Sequence, residues 1–370
     1  METIYKVIDN HVHIAGPGDK YPNDLYWSKK FKKGIGYKGL KILKGWIFKR
    51  MDDQLMISEL LKQAEKSKKV DYVVVLAFDN VYKVDGTYCG PGKNNQGEVL
   101  STLFMSNDFV KKTLCSQNPK ILQGISVHPF RDDAAAELEK YKDTAVLCKW
   151  MASAQQIDFS DPQGEPKLLK FYEKLAEIKL PLLFHTGVET SIPASKPGFD
   201  IFNNPIFIEK ALDAGVTVIL AHCGCSYFDI LMPQDNVVQE VVRLFKKMQE
   251  EKKDWNLYAD ISALFSPFRK RKILDDIFRN IPASKLIYGS DFPNPAKGRK
   301  EFFLRPFLRF RRANLIDRYF KITINWLKRY YSQEEISQVL TNLHRLLVSL
   351  GRGNLINGLL GTVRANDPLL

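Results

Sequence analysis

The chain alternates short apolar runs rich in β-branched residues with longer amphipathic stretches, and this alternation limits the folds that it can adopt. We predict eight strands, at 4–9, 70–77, 121–127, 145–149, 180–184, 216–221, 256–261 and 285–289. We predict helices between and after them, near 52–68, 101–117, 132–142, 163–179, 202–214, 235–250, 269–280 and 314–330. Strands that alternate with helices form βαβ units, which build a parallel sheet.

Eight right-handed βαβ units in succession close into a (β/α)8 barrel, also called a TIM barrel. A doubly wound open sheet is the structural alternative, and it would bind ligands at one switch point instead of within a ring of strand ends. The sequence has no internal repeat and no convincing linker between domains. We therefore expect residues 1–370 to form a single barrel domain.

Two loops are unusually long, at 14–51 after the first predicted strand and at 79–100 after the second. Because both follow strands, both are expected on the catalytic face of a barrel, where long loops often form lids or bind ligands. The chain ends in extra helices over 314–350. Ser332 and Glu335 have the spacing of a capping box, which predicts the start of the last of these helices.

The composition predicts a water-soluble protein. The sequence is 45% hydrophobic and 26% charged, which is typical of globular proteins, and no run approaches the roughly 18 apolar residues of a membrane span. Met1–Lys6 leads directly into an apolar strand without the apolar core of a signal peptide. The five cysteines show no disulfide spacing. We therefore expect reduced thiols and a cytoplasmic location.

The formal net charge is +13, which favours contact with acidic substrates, nucleic acids or anionic membranes. Much of the excess lies in residues 29–50, which contain no acidic side chain. A solvated basic face is the favoured interpretation, and an amphipathic membrane-surface segment in a catalytically inactive barrel is the alternative. We expect a small, acidic substrate, no nucleic acid partner and a homodimer.

Polar residues follow several of the predicted strands at the point where each strand ends. His11 and His13 end the first strand, and residues two apart in a strand point to the same face. His185, His222 and Asp291 end three later apolar runs. The carboxyl ends of barrel strands converge on one pocket, so these five side chains are predicted to share a site.

These segments resemble the amidohydrolase superfamily and, within it, the amidohydrolase-2 group, which also contains aminocarboxymuconate semialdehyde decarboxylase. The matching motifs are DNHVH at 9–13, SVHPF at 126–130, LLFHTG at 182–187, VILAHCG at 218–224, LIYGSDFP at 286–293 and TNLHRLL at 341–347. They occur in the same order and span nearly the whole chain. The resemblance is specific for the family and says little about the substrate.

The resemblance implies that His11, His13 and His185 bind a divalent metal ion, with Asp291 as a fourth ligand. Such ligands suit one Zn²⁺ with an open position for water, although Mn²⁺, Fe²⁺ and Co²⁺ accept the same ligand types. Metal binding lowers the pKa of water towards 7. Asp291 would take the proton of this water and pass it to the leaving group, while His222 would polarise the substrate or steer the water.

Four further residues are candidates for binding the substrate. Lys149 ends the fourth strand, where binuclear relatives carry a carboxylated lysine that bridges two metals. We favour one metal, with Lys149 contacting an anionic substrate group or forming a structural ion pair. His128 either lines the pocket or packs beside it, and Arg269 and Arg299 are expected to clamp a carboxylate.

We expect a hydrolase that cleaves a C–N or C–O bond in an amide, an ester or a lactone. Non-oxidative decarboxylation or hydration of an unsaturated carboxylic acid is the alternative, because the metal would stabilise developing negative charge in either case. A TatD-type nuclease is a third hypothesis. It is less favoured because those enzymes have a glutamate at the position of Lys149.

Overall fold

The computed structural model describes residues 4–14, 16–34, 37–38, 52–92, 98–189, 192, 198–225, 235–265, 269–293 and 314–357. Three parts of the sequence predictions lie outside these residues. They are Arg299, residues 15, 35–36 and 39–51 of the first long loop and residues 93–97 of the second. Among the described residues, no helix is both long enough and apolar enough to cross a bilayer.

All eight predicted strands are present, although the first, expected over 4–9, is formed by Ile8–Val12. In chain order the strands are β1 (Ile8–Val12), β2 (Leu25–Trp27), β3 (Tyr72–Leu76), β4 (Leu103–Met105), β5 (Ile121–Ile125), β6 (Ala145–Trp150), β7 (Leu182–Phe184), β8 (Val218–Leu220), β9 (Leu257–Asp260) and β10 (Leu286–Ile287). Strands β2 and β4 pair with each other in a small antiparallel sheet. The other eight form one parallel sheet in which neighbours in the chain are neighbours in space.

Backbone hydrogen bonds connect the last strand of this sheet to the first. The amide of Asn10 donates to the carbonyl oxygen of Tyr288 at 3.1 Å, and the amide of His13 donates to that of Phe292 at 2.7 Å. In the other direction, the amide of Asp291 donates to the carbonyl oxygen of His11 at 2.8 Å. The sheet therefore curves into a (β/α)8 barrel, as predicted, and not into an open doubly wound sheet.

Helices lie between the strands and after the last one. The described α-helices are Lys29–Lys33, Asp53–Lys66, Asn107–Phe109, Ala134–Tyr141, Ala152–Gln155, Glu165–Glu177, Glu209–Asp213, Asp235–Glu250, Arg271–Asn280, Leu315–Leu327, Gln333–Ser349 and Asn354–Asn357. Ser332 and Glu335 form the predicted capping box at the start of helix Gln333–Ser349.

Two predicted helices have different boundaries in the structure. The helix expected over 101–117 begins only at Asn107, because residues 103–105 pair with β2 and the Ser106 side chain caps the helix by accepting a hydrogen bond from the Phe109 amide. It continues as a π-helix over Val110–Cys115. The helix expected over 202–214 is divided into 3₁₀ turns at Phe199–Asn203 and Pro205–Ile208 before helix Glu209–Asp213. Pro205 has no amide hydrogen to continue a helix from the first turn.

The last helices close the amino-terminal end of the barrel. Leu343, Leu346 and Leu347 pack into the apolar cluster that fills the barrel interior, together with Ile8 of β1 and Leu183 of β7. A second and larger apolar cluster lies between the strands and the surrounding helices. The barrel is therefore filled with side chains at this end, and a ligand has room only at the opposite end.

Asn342 attaches helix Gln333–Ser349 to the end of the barrel. Its buried amide nitrogen donates to the carbonyl oxygen of Ala283 at 2.8 Å and to that of Leu286 at 2.6 Å. Replacing Asn342 by Ala leaves both carbonyls without this donor, so we expect the free energy of unfolding to fall by about 1–3 kcal/mol. Urea unfolding measures the loss. The exposed Gln333 of the same helix, replaced by Ala, serves as the control, and an equal loss in both variants would contradict this assignment.

Candidate active site

Polar side chains meet at the carboxyl ends of the barrel strands, opposite the end that helix Gln333–Ser349 closes. His11 belongs to β1 and His13 follows it, while Lys149 lies near the end of β6. His185, His222 and Asp291 come directly after β7, after β8 and shortly after β10. Short distances join most of these side chains, and all except His13 are buried to more than nine-tenths.

An irregularity in β1 directs both of its histidines to this end of the interior. Ile8 packs inside the barrel, whereas Val12 packs outside it, although simple alternation would place both on the same face. The register against β3 shifts between Asp9 and Val12, which is a local bulge. The Asp9 carboxylate holds this turn by accepting hydrogen bonds from the amides of His11 at 3.2 Å and Ser290 at 2.8 Å.

The side chains of His11, His13 and Asp291 face one another. The Nε2 atoms of the two histidines are 3.1 Å apart, and Asp291 Oδ1 lies 3.4 Å from His13 Nε2 and 3.8 Å from His11 Nε2. Two ligand atoms on a tetrahedral zinc ion, each about 2.0–2.2 Å from it, are about 3.3–3.6 Å apart. The spacing of these three atoms fits a shared divalent ion. The His13 side chain is 29% exposed, so the solvent reaches the group from its side.

The ring of His222 lies beside that of His11, with the two centroids 4.7 Å apart. One ligand atom from each of His11, His222 and Asp291 lies within 4.8 Å of the other two. The Nδ1 atom of His222 is 2.8 Å from Ser262 Oγ and 3.2 Å from the Ser262 carbonyl oxygen. Because a carbonyl only accepts hydrogen bonds, Nδ1 carries the hydrogen and Nε2 has a free lone pair. His222 is therefore close enough and in the right form to bind a metal, or to accept a hydrogen bond from water.

Two of these residues have backbone conformations that are uncommon for residues other than glycine. His222 has φ 60° and Asp291 has φ 58°, both in the left-handed region. Such conformations persist where the surrounding structure imposes them, and they are frequent at active sites. Here they turn the chain sharply at the ends of β8 and β10, which presents both side chains to the pocket.

His185 is the fourth imidazole of this group. Its ring packs edge-on against that of His222, with the centroids 5.1 Å apart. Both of its ring nitrogens are buried without a hydrogen-bond partner among the described residues, although Nε2 lies 3.5 Å from Glu189 Oε2. An unsatisfied buried imidazole is costly, and a bound cation would satisfy it. This orphaned ring is a second sign that the residues fit a metal.

Burial keeps these imidazoles neutral near pH 7. It lowers the pKa of His11 to about 4, with a further contribution from the charge of Lys149, and lowers the pKa of His13, His185 and His222 well below the ordinary value. Neutral imidazole is the form that binds metals. Burial also lowers the pKa of Lys149 to about 8, and its Nζ lies 3.5 Å from His11 Nε2. Lys149 is thus part of the same group.

Two predicted substrate-binding residues make contacts elsewhere. His128 donates from Nε2 to the Gln155 carbonyl oxygen at 2.9 Å and accepts at Nδ1 from the Phe130 amide at 3.2 Å, which favours the packing alternative for this residue. The Arg269 guanidinium is buried and donates to the carbonyl oxygens of Ala263 and Leu264, both at 3.2 Å, in the loop after β9. Their roles in binding substrate stay predictions.

The sequence analysis missed three polar residues at this end of the barrel. Asp260 ends β9, Ser262 follows it, and Glu189 lies in the loop after β7. Asp260 has the same signal as His185, His222 and Asp291, since it is a polar residue at the end of an apolar strand. Glu189 has no such signal, because only the path of its loop brings it to His185.

Comparison with known proteins identifies the family of this chain. A family model described as Amidohydrolase matches residues 101–314, which is more than half of the chain. The chain belongs to the amidohydrolase family. It is therefore an enzyme of the metal-dependent hydrolase type. Lys149, His185, His222, Asp260 and Asp291 of this amidohydrolase lie within the matched residues, whereas His11 and His13 precede them. A search of curated proteins gives no significant match.

Solved structures resemble the amidohydrolase in fold at low sequence identity. An uncharacterized TIM-barrel protein from Bordetella bronchiseptica is 14% identical with a TM-score of 0.56, covering 94% of this chain and 100% of that one. An amidohydrolase from Burkholderia multivorans with bound HEPES is 11% identical with a TM-score of 0.54, covering 93% and 99%. A 4-oxalomesaconate hydratase from Rhodopseudomonas palustris is 14% identical with a TM-score of 0.50, covering 96% and 100%. These similarities support the barrel fold.

Proposed function

We propose that this amidohydrolase cleaves a C–N or C–O bond in a small acidic molecule, namely an amide, an ester or a lactone. The observation that supports it best is the cluster of His11, His13 and Asp291, whose facing atoms have the spacing of ligands around one ion. In this proposal His11, His13, His185 and Asp291 hold a single Zn²⁺. A bound zinc ion would lower the pKa of water towards 7 and polarise the scissile carbonyl.

Three side chains carry out proton transfer, positioning of the water and binding of an anionic group. Asp291 accepts the proton of the attacking water and delivers it to the leaving nitrogen or oxygen. His222 steers that water, because its Nε2 lone pair accepts a hydrogen bond while Nδ1 donates to Ser262. Lys149 places a positive charge beside His11, where it would attract an anionic group of the substrate or form an ion pair with an acidic neighbour.

A second candidate is a lyase that decarboxylates or hydrates an unsaturated carboxylic acid, as in the group around aminocarboxymuconate semialdehyde decarboxylase. The 4-oxalomesaconate hydratase whose fold resembles this chain gives it some support. Arg269 and Arg299 would clamp the carboxylate in this case. A TatD-type nuclease is the least favoured candidate. The cytoplasmic location and the homodimer also stay predictions from the sequence.

A panel of substrates, combined with elemental analysis, tests the proposal. The purified protein is assayed for cleavage of amides, esters and lactones, for CO₂ release, for hydration of unsaturated acids and for cleavage of DNA. We expect about one zinc per chain and turnover in the hydrolase group, lost for the most part in His222→Asn. Asparagine tolerates the left-handed backbone at this position, so the variant should fold. A protein that takes up no divalent metal, or that only releases CO₂, would contradict the proposal.

A further inference from the structure

The side chain of Asp260 accepts hydrogen bonds from residues at two of the strand ends that carry histidines. It is fully buried at the end of β9. Its Oδ2 accepts a hydrogen bond from His11 Nδ1 at 2.7 Å, and its Oδ1 accepts one from the backbone amide of His222 at 2.8 Å. A single carboxylate therefore holds the ring of His11, a candidate ligand, and the backbone of His222, the residue proposed to steer the water.

Ser262 extends this contact to the ring of His222. Its amide and its hydroxyl both donate to Asp260 Oδ1, at 3.0 Å and 2.5 Å. A serine hydroxyl has one hydrogen, so once it donates to Asp260 it accepts from His222 Nδ1 at 2.8 Å. Asn10 adds a longer contact from its side-chain amide to Oδ2 at 3.4 Å. In every one of these contacts the Asp260 carboxylate accepts the hydrogen bond.

The direction of these hydrogen bonds sets the tautomers of both rings. A carboxylate has only acceptor atoms, so His11 carries its hydrogen on Nδ1. His222 carries its hydrogen on Nδ1 for the reason given above. Both Nε2 lone pairs then face the interior of the candidate centre. The hydrogen bond of a histidine's second nitrogen fixes the ring and raises its basicity as a ligand.

We propose that Asp260, acting with Ser262, is a positioning residue that sets the tautomer and orientation of His11 and His222 together. Only the expected effect of Asp260 on metal affinity rests on the proposed function. The tautomers themselves follow from the hydrogen bonds and exist with or without the ion.

Asp260→Asn is a sharp test because the two edges of the carboxylate have different partners. Three donors face Oδ1, so the asparagine carbonyl takes that edge and the NH₂ group faces His11 Nδ1. Two donors then oppose each other, and we expect His11 to move its hydrogen to Nε2, so that Nδ1 can accept a hydrogen bond from the NH₂ group. That hydrogen would occupy Nε2, the atom that would bind the metal. We expect the Kd for Zn²⁺ to rise about 10–100-fold.

Asp79→Asn is the matched control. Asp79 is also a buried aspartate beyond the end of a barrel strand, but its Oδ2 accepts from the His128 amide at 2.8 Å and pairs with Arg131 at 3.1 Å. We expect this variant to lose stability while its Kd for Zn²⁺ stays within about twofold of the wild type. Competition with a chromophoric chelator measures Kd in the full chain, and thermal unfolding reports on folding.

Long-range ¹H–¹⁵N NMR of histidine-labelled protein reads the tautomers directly. In the wild type we expect His11 and His222 to be protonated on Nδ1, and in Asp260→Asn we expect His11 to be protonated on Nε2. Wild-type rings protonated on Nε2, or an Asp260→Asn protein with unchanged tautomers and Kd, would overturn the inference. The wild-type spectra decide the question even if the variant fails to fold. A wild type that binds no zinc but has the expected tautomers would reject the proposed function alone.

Discussion

Replacing Asp291 by Asn is expected to lower kcat about 10²–10⁴-fold on the substrate that the wild type turns over, which is the usual contribution of a general base. The amide keeps the shape of the carboxylate but cannot take up a proton at neutral pH. Asparagine also tolerates the left-handed backbone of this position, where φ is 58°. The loss should therefore come from chemistry instead of misfolding, and steady-state kinetics with a check of zinc content separates the two.

Asp254→Asn provides the control for this substitution. Asp254 is exposed and precedes β9 at the opposite end of the barrel. Its replacement should leave kcat and zinc content unchanged. Wild-type rates in the Asp291→Asn protein would reject the proton-transfer role of Asp291, even if the metal site itself were confirmed.

Replacing His11 by Ala is expected to remove both the metal and the activity. His11 Nε2 lies close to three other side chains, at 3.1 Å from His13 Nε2, 3.5 Å from Lys149 Nζ and 3.8 Å from Asp291 Oδ1. The substitution also leaves the buried Asp260 without its imidazole donor. We expect less than about a tenth of the wild-type zinc content after dialysis, since structural and catalytic sites depend on their full set of ligands. Elemental analysis measures it.

His344→Ala is the matched control, because it removes the same side chain far from the strand ends. His344 lies on helix Gln333–Ser349, where its Nδ1 accepts a hydrogen bond from the Lys6 amide at 2.8 Å. This variant should keep its zinc and lose only stability. Equal zinc contents in the wild type and in His11→Ala would show that the metal, if one binds, is held by other residues.

The sequence predicts the barrel well because most of its strands are short and largely apolar runs. Such runs identify β3, β6 and β8 without any knowledge of their neighbours. The small antiparallel sheet of β2 and β4 was not predicted, since two strands of three residues each leave too weak a periodic signal. Their pairing depends on contacts between segments almost eighty residues apart in the chain.

The candidate site could likewise be predicted from the sequence only in part. Polar residues at strand ends led to His11, His222 and Asp291, which the structure brings together. The bulge in β1 could not be predicted, because it depends on pairing with β3 and on the hydrogen bonds of Asp9. Asp260 shows the strand-end signal but was passed over, because a buried carboxylate is recognised as part of the site only when its donors are known.

The helix Gln333–Ser349 inserts Leu343, Leu346 and Leu347 into a cluster that also contains residues from the first strand of the barrel. During synthesis on the ribosome, the eight strands are complete more than forty residues before this helix is. Until it emerges, the nascent barrel has an open apolar floor that water or a chaperone can reach. Because translation runs from the amino terminus, we expect this end of the barrel interior to be sealed only after Leu343, Leu346 and Leu347, and then Ile356 of the same cluster, have been made.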